Sequence, residues 1–348
     1  MYSFACDYLE GCHEEVLKAL TETNMEQLPG YGTDRYTKEA SDEIRTACQD
    51  KAATVWFISG GTQTNQLVID TMLQPYEGVL AARSGHVNVH EAGAIEFSGH
   101  KVLVLPSHDG KVAARDVEDY VKNFYNDENH EHMVFPGMVY ISHPTEFGTL
   151  YSADELKALS KVCRENHLKL YLDGARLGYG LEADGTDVTL PLIAQLTDVF
   201  YIGGTKAGAL CGEALVFPGG REPSHFITRI KQHGALSAKG RLTGVQFAAL
   251  FKGNLYGRIC RRGIETGMQI RQIFKEAGCS FYIDSPTNQQ FVILTNDEIA
   301  ALKQYVDFSF WEALDETHTV VRFASSWATT DNGIRQLREA VSCCIHRK

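Results

Sequence analysis

Lys206 is the residue of this sequence whose surroundings favour chemistry most directly. It follows an apolar run within YIGGTKAGALCGEALVF, which places its amine just past a predicted strand among glycine, threonine and alanine. Burial among such residues lowers the pKa of a lysine and makes its amine a nucleophile that condenses with carbonyl groups. This segment taken alone also fits a surface lysine in a glycine-rich turn, because lysine is usually exposed.

A carboxylate and an arginine stand close together at the end of another predicted strand. Asp173 closes the apolar run KLYLD and opens DGARLGYG, which contains Arg176. The carboxyl ends of strands in α/β sheets face the ligand crevice, where an aspartate can hold a protonated ring nitrogen or a metal ion. The guanidinium of Arg176 suits a carboxylate or a phosphate. The structural alternatives are Asp173 as the N-cap of the next turn and Arg176 as its partner.

The segment GGTQTN (60–65) follows a predicted strand and begins a helix. Backbone N–H groups at a helix N-terminus, with the hydroxyls of Thr62 and Thr64, suit a phosphate group. The segment has neither the G-x-G-x-x-G pattern of dinucleotide sites nor the lysine of a P-loop, so a tight turn is the competing interpretation.

Two histidines and a glutamate, His86, His90 and Glu91, lie together in SGHVNVHEAGA. The HExxH order is absent and the sequence offers no evident third ligand, so we predict no metal site. A lone active-site histidine more often covers a flat ring or acts as a general base. Farther along, Arg322 in VVRFASSW needs an anionic partner among its apolar neighbours, either a substrate carboxylate or a structural glutamate.

Short apolar runs that alternate with helical patterns must position these residues. The runs that predict strands cover 54–59, 78–82, 101–106, 138–142, 169–173, 198–203 and 212–217. Alternation of this kind is typical of an α/β domain with a mostly parallel sheet.

The pattern changes after about residue 240. Residues 241–277 predict one long helical region, and the short strands and helices expected beyond it cover 281–285, 290–295, 296–304, 319–324 and 331–345. We therefore predict a large α/β domain over 15–240 and a small α+β domain formed by 1–14 and 241–348.

Composition argues against several classes of protein. The 348 residues carry 33 lysines and arginines against 44 aspartates and glutamates, and the net charge of −11 disfavours nucleic acid or an anionic membrane as partner. No apolar run approaches the ~18–20 residues of a membrane span, and the start MYSFACDYLEG lacks the features of a secretory signal. Nine cysteines without a CxxC pair favour free thiols in a reducing cytoplasm.

Taken in order, these segments resemble pyridoxal-phosphate enzymes of the aspartate aminotransferase fold. More narrowly, the chain resembles the low-specificity threonine aldolase and β-eliminating lyase family. The segments that carry this resemblance are SFACDYLEGCHEEVLKAL, YGTDRYT, FISGGTQTNQL, GHVNVHEAGA, LYLDGARLGYGL and the region of Lys206. The resemblance covers essentially the whole chain. It implies a large domain like that of PLP-dependent transferases, with a mostly parallel seven-stranded sheet, and a smaller α+β C-terminal domain.

The resemblance implies a cofactor, pyridoxal 5'-phosphate, and a role for each matching residue. Lys206 would form the Schiff base, Asp173 would pair with the pyridine nitrogen, and His86 would stack on the ring. The other cofactor contacts that it implies are Gly61, Thr62, Arg176, Thr205 and, from a neighbouring subunit, Arg241.

The resemblance also implies substrate contacts. Arg176 and Arg322 would hold the substrate carboxylate, and Tyr36 would contribute across a subunit boundary. Two positions depart from the family pattern, because Cys6 stands where a serine is common and Thr145, in ISHPTEFGT, takes the place of a second histidine. His143 lies two positions from Thr145, a spacing that keeps the same face of an extended chain.

The implied reaction is cleavage of threonine or allo-threonine to glycine and acetaldehyde, with His86 as the candidate base, in a cytoplasmic homodimer or homotetramer with shared active sites. The main alternative is a β-eliminating lyase or racemase on the same fold, acting on another small or aromatic amino acid. A non-enzymatic scaffold is more remote. A nicotinamide dehydrogenase is disfavoured because no G-x-G-x-x-G with a following acidic residue occurs.

Overall fold

The strands of the protein are short, and most follow the predicted apolar runs. The structure is a computed structural model in which residues 1–345 are described. Its strands are Tyr2–Ser3 (β1), Thr54–Ile58 (β2), Glu77–Ala82 (β3), Val102–Leu105 (β4), Phe135–Ser142 (β5), Lys169–Asp173 (β6), Val199–Gly203 (β7), Glu213–Phe217 (β8), Ser280–Phe281 (β9), Gln289–Thr295 (β10), Val306–Asp307 (β11), Ser309–Ala313 (β12) and His318–Ala324 (β13).

Helices separate most of these strands. They are Glu14–Thr23 (α1), Arg35–Ala47 (α2), Gly61–Met72 (α3), His86–Val89 (α4), Ala94–Phe97 (α5), Ala114–Asn126 (α6), Ala153–Glu165 (α7), Leu177–Glu182 (α8), Leu190–Leu196 (α9), Phe226–Gln232 (α10), Arg241–Phe251 (α11), Leu255–Glu276 (α12), Asn296–Leu302 (α13) and Asp331–Cys344 (α14). Short 3₁₀ helices occupy His130–His132, Pro218–Gly220 and Lys252–Asn254.

The central sheet has seven strands in the order β2-β8-β7-β6-β5-β3-β4. Strands β7, β6, β5, β3 and β4 pair in parallel, whereas β8 runs antiparallel to both of its neighbours. The prediction of a mostly parallel seven-stranded sheet is therefore confirmed, with each predicted strand in it.

Both faces of this sheet are buried, as β6 illustrates. Leu170 and Leu172 join the core on one face, whereas Tyr171 joins the core on the other face with Leu67 and Val68 of α3. Successive side chains of a strand point to opposite faces, so a sheet covered by helices on both sides needs large apolar residues at every position. This sandwich places the carboxyl ends of β5, β6 and β7 side by side.

The region after residue 240 differs from the prediction in two respects. The expected single helix over 241–277 is interrupted at Lys252–Asn254, because Gly253 and Asn254 have φ values of 58° and 55°, which end α11 before α12 begins. The sequence also does not predict β11 or β12. The residues of β12 are half-exposed, and its pairing with β13 shifts between Phe310 and Glu312. The antiparallel sheet here has the order β12-β13-β10-β9.

The division into two domains stays a prediction. Phe247 of α11 and Ile264 of α12 belong to the core of the large sheet, whereas Ile270 and Phe274, later in α12, join a separate core with Phe4. No helix within residues 1–345 combines the length and apolar character needed to cross a bilayer.

Candidate active site

A cavity of about 310 Å³ opens at the carboxyl ends of the parallel strands. The predicted site residues in its wall are Gly61, Thr62, His86, Asp173, Arg176, Thr205 and Lys206. They come from segments that follow four different strands, so the fold brings them together.

Asp173 is a buried carboxylate at the end of β6, held by four hydrogen bonds. The hydroxyls of Tyr140 and Tyr201 each donate to it at 2.6 Å, Asn65 Nδ2 donates at 3.0 Å, and the backbone N–H of Ala175 donates at 2.9 Å. Burial opposes the charged form, but the His86 ring and these hydroxyls outweigh it and lower the pKa of Asp173 below its ordinary value. Asp173 is therefore an anion at neutral pH.

The strand register explains why tyrosines surround this carboxylate. Tyr140 lies opposite Tyr171 in the β5–β6 pair, and Ser142 lies opposite Asp173. Since side chains two residues apart share a face, Tyr171 and Asp173 point to the same side of the sheet. The hydroxyl of Tyr171 donates to Asn65 Oδ1 at 2.6 Å and so orients the amide that binds Asp173.

His86 is oriented by a buried glutamate. Its Nδ1 lies 2.8 Å from Glu91 Oε1, and Asn65 Nδ2 donates to the same oxygen at 2.6 Å. Burial alone would lower the pKa of His86, but the hydrogen bond to Glu91 and the negative charge of Asp173 raise it above its usual value. The His90 ring lies 5.8 Å from the His86 ring, outside the wall of the cavity.

Lys206 lies in the turn that follows β7. The hydroxyl of Tyr179 donates to its carbonyl oxygen at 2.7 Å, and its Nζ lies 5.9 Å from the ring centre of Tyr8. Burial, reinforced by the charge of Arg176, lowers the pKa of Lys206. Among residues 1–345 no carboxylate forms an ion pair with Nζ. Burial and a lowered pKa are the properties expected of a nucleophilic amine.

A second buried acid, Glu213, lines the cavity beside Lys206 and was not predicted. The hydroxyl of Thr205 donates to its Oε1 at 2.8 Å, and the backbone N–H of Gly204 donates to Oε2 at 2.9 Å. Burial raises the pKa of Glu213 to about 7. Thr205, a predicted cofactor contact, thus directs its hydroxyl proton to Glu213.

The N-terminus of α3 opens onto the cavity. Gly60 is the N-cap, and no side chain caps the helix, so the first N–H groups are available to an anion. A Cβ atom at Gly61 would lie 3.1 Å from the Tyr201 hydroxyl, so glycine keeps this space clear. Thr62 lines the cavity, whereas Thr64 is buried and donates its hydroxyl proton to the Gly60 carbonyl at 2.9 Å.

Arg176 pairs with Asp7 and not with Asp173. Its Nε and Nη2 donate to the two carboxylate oxygens of Asp7 at 2.7 and 3.0 Å, and Asn288 donates to Asp7 at 3.0 Å. Burial opposes the charge of Asp7, yet Arg176 and Lys206 lower its pKa to about 2. This ion pair attaches the N-terminal segment to the cavity wall.

Arg322 is largely buried and has no carboxylate partner among the described residues. Its Nη2 donates to the Ala5 carbonyl at 3.0 Å, while Nε has no hydrogen-bond partner. Burial and the nearby charge of Arg176 lower its pKa. Cys6 lies near it and near Tyr8, a cavity residue that the sequence did not indicate.

Arg241 and Tyr36 lie outside the cavity wall of their own chain, as Arg322 and Cys6 also do. Arg241, the first residue of α11, donates to the backbone carbonyls of Glu26 and Asn24, each at 2.7 Å. The Tyr36 hydroxyl donates to Glu26 Oε1 at 2.9 Å. Neither belongs to the cavity wall.

The loop after β5 corrects another expectation. Thr145 is 1% exposed, and its hydroxyl lies 2.6 Å from that of Thr149, so it faces the interior. His143 is buried as well, with its pKa lowered by burial to about 4. The chain turns after Ser142, so the alternation of a strand no longer applies, and Glu146 occupies the cavity wall instead.

These groups fit pyridoxal 5'-phosphate. The four donors to Asp173 are all neutral, which leaves its buried charge without a cationic partner in direct contact and suits a protonated ring nitrogen. The uncapped N-terminus of α3 suits the phosphate, and the unpaired amine of Lys206 suits the aldehyde.

Comparison with known proteins agrees with this fit. The family model described as "Beta-eliminating lyase" matches residues 4–338. A low specificity L-threonine aldolase of Pseudomonas aeruginosa is 29% identical, over 96% of this chain and 95% of the relative. The structure of Leishmania major threonine aldolase superposes with a TM-score of 0.96 at 39% identity, covering 99% of this chain and 100% of that one. An aspartate aminotransferase of Thermus thermophilus shares the fold, with a TM-score of 0.71 at 14% identity over 99% and 91% of the two chains.

The fold and the site, together with these relatives, define a pyridoxal-phosphate-dependent lyase of the aspartate aminotransferase fold. The chain belongs to the beta-eliminating lyase family, in the part of it that includes the threonine aldolases.

Proposed function

We propose that the protein binds pyridoxal 5'-phosphate in this cavity and cleaves threonine or allo-threonine to glycine and acetaldehyde. The observation that carries the proposal is the placement of a low-pKa amine, Lys206, and a buried anion, Asp173, in one cavity wall. When bound, this cofactor accepts the electron pair released at the α-carbon of an amino acid. The names of the Pseudomonas and Leishmania relatives favour threonine as the substrate.

Different residues of the chain would hold different parts of the cofactor. Lys206 would supply the amine for the aldehyde, and Asp173, whose four direct donors are all neutral, would favour a proton on the pyridine nitrogen. The N–H groups at Gly61 and Thr62 bind the phosphate. His86, fixed through Glu91, covers the ring.

The two arginines orient the substrate. Arg176 already has Asp7 as a partner, but Arg322 is a buried cation that lacks one, so a substrate carboxylate would complete this pair of positive charges. Fixing the carboxylate restricts rotation about the N–Cα bond of the substrate and so selects the Cα–Cβ bond for cleavage.

We also propose a homodimer or homotetramer with shared active sites. Arg241 and Tyr36 lie outside the cavity of their own chain, where they would serve a neighbouring subunit. Mixing Arg241→Ala with Lys206→Ala subunits tests this directly. Activity should reappear in mixed assemblies, because one site then receives Lys206 from one chain and Arg241 from the other; no recovery after verified subunit exchange contradicts sharing.

The reaction is tested by incubating the holoenzyme separately with threonine and allo-threonine. Acetaldehyde and glycine in equal amounts support the proposal. Pyruvate and ammonia from serine or cysteine, without acetaldehyde from either threonine isomer, would instead identify a β-eliminating lyase. Interconversion of alanine enantiomers would identify a racemase. In each case Lys206→Ala should abolish turnover.

A further inference from the structure

Glu146 presents a carboxylate to the substrate cavity from the loop that follows β5. Two donors fix it through the same oxygen, Oε1: the Ser142 hydroxyl at 2.6 Å and the backbone N–H of His86 at 2.9 Å. Among residues 1–345 no other side chain donates a hydrogen bond to this carboxylate. The carboxylate is therefore anchored through Oε1.

The surroundings of Glu146 favour proton transfer. Burial, with a smaller contribution from the charge of Asp173, raises the pKa of Glu146 above its ordinary value. A carboxylate with a raised pKa is a stronger base than an ordinary one. The titratable and charged groups around this cavity are Tyr8, Tyr140, Asp173, Arg176, Tyr201, Lys206, Cys211, Glu213 and the ring of His86.

His86 is the alternative base, but we assign it to the cofactor ring. Its Nδ1 is bonded to the buried Glu91, which fixes the orientation in which it would cover that ring. The structure also takes Thr145 out of the cavity, so Glu146 is the acid of this loop that reaches the substrate space.

We propose that Glu146 is the catalytic base that removes the proton from the β-hydroxyl of the substrate. As that proton moves to the carboxylate, the O–H electron pair forms the carbonyl of the aldehyde, and the Cα–Cβ bond breaks with its electron pair left at Cα. Cα then takes up one proton to become glycine, and Glu146 returns its own proton to solvent. Nothing is oxidised or reduced. This inference rests on the proposed aldolase function.

The test compares Glu146→Gln with a matched control, Glu182→Gln, in the holoenzyme. Glu182 is also partly buried with a raised pKa, but it lies beside Gly257, outside the cavity. Glu146→Gln should lower kcat for acetaldehyde release by about 10²-fold or more, the usual contribution of a general base, and should flatten the acidic limb of the kcat/KM profile. Glu146→Asp should recover part of the rate. Glu182→Gln should resemble wild type.

Glycine separates a chemical role from a structural one, because it has no β-hydroxyl. Exchange of its α-hydrogen in deuterated water, followed by NMR, should stay within about threefold of wild type in Glu146→Gln. If Glu146→Gln releases acetaldehyde at a near-normal rate, or loses glycine exchange and acetaldehyde release together, the assignment of Glu146 is wrong while the aldolase function stands. If wild-type enzyme releases no aldehyde from either threonine isomer, the proposed function and this inference both fail.

Discussion

The buried ion pair between Asp7 and Arg176 offers a sharp test of how the N-terminal segment is held. The pKa of Asp7 falls from 3.8 to about 2, and at 1.36 kcal/mol per pKa unit the folded state gains about 2.5 kcal/mol from the charged form. In Asp7→Asn the guanidinium of Arg176 stays buried without its carboxylate. Breaking a buried pair in this way costs about 3–5 kcal/mol. We expect a loss of that size near neutral pH.

The free energy of unfolding should depend on pH in a defined direction. A carboxyl group with a depressed pKa stabilises the fold above its unfolded pKa, and this contribution is lost as pH falls toward the folded pKa. Acidification from about pH 6 to about pH 3 should therefore cost wild type about 1 kcal/mol that Asp7→Asn does not lose.

Urea unfolding at fixed protein concentration measures both effects. Asp331→Asn is the control, because its pairing with Arg262 is exposed and such pairs contribute about 0–1 kcal/mol. Equal unfolding free energies for wild type and Asp7→Asn, or a gap that widens in acid, would refute this reasoning.

Three further predictions concern the floor of the cavity. Asp173→Asn should keep cofactor binding but lose about 10²-fold or more in kcat for acetaldehyde release, since the anion that holds the ring proton is gone; near-normal turnover would count against that role. Gly174→Ala should unfold the protein or lower its stability by several kcal/mol, because a Cβ there would lie 1.9 Å from the Tyr201 carbonyl oxygen, whereas Gly11→Ala meets only Leu210 at 3.8 Å and should be neutral in thermal melts. In the apoprotein, burial raises the pKa of Glu213 from 4.5 to about 7, so stability should fall by about 3 kcal/mol as pH rises through that interval. Glu213→Gln should remove that fall in urea titrations, and an unchanged fall would show that other groups cause it.

The elements of the large sheet could be predicted because their apolar runs are short, regular and separated by helical patterns. Lys206, Asp173 and the Gly61–Thr62 turn could be located for the same reason, since each directly follows a predicted strand. Because the carboxyl ends of parallel strands lie at one edge of a sheet, these positions also predict that the residues meet there.

What the sequence did not reveal depends on side chains that meet only after folding. Tyr140 and Tyr201 sit among apolar strand residues and look like core, although their hydroxyls bind Asp173. A usable signal existed, because Tyr140, Tyr171 and Tyr201 each stand two positions before the end of a predicted strand. Asp7 gave no such signal, since its partner Arg176 is far away in the sequence.

In the loop after β5, side chains no longer alternate between two faces as they do along a strand. An extended chain would have put Thr145 and His143 on one face, but both are buried behind the cavity. The backbone N–H of Gly148 donates to the Thr145 carbonyl at 2.8 Å. This turn places Glu146, and not Thr145, at the cavity wall. Only the turn geometry decides which residue faces the substrate.

The central claim is that the amine of Lys206 joins the cofactor's aldehyde. Borohydride reduction of the holoenzyme, followed by proteolysis and mass spectrometry, tests it most directly. The account predicts the reduced pyridoxyl-phosphate adduct on the peptide that contains Lys206. An adduct confined to other lysines, with the Lys206 peptide unmodified, would contradict it.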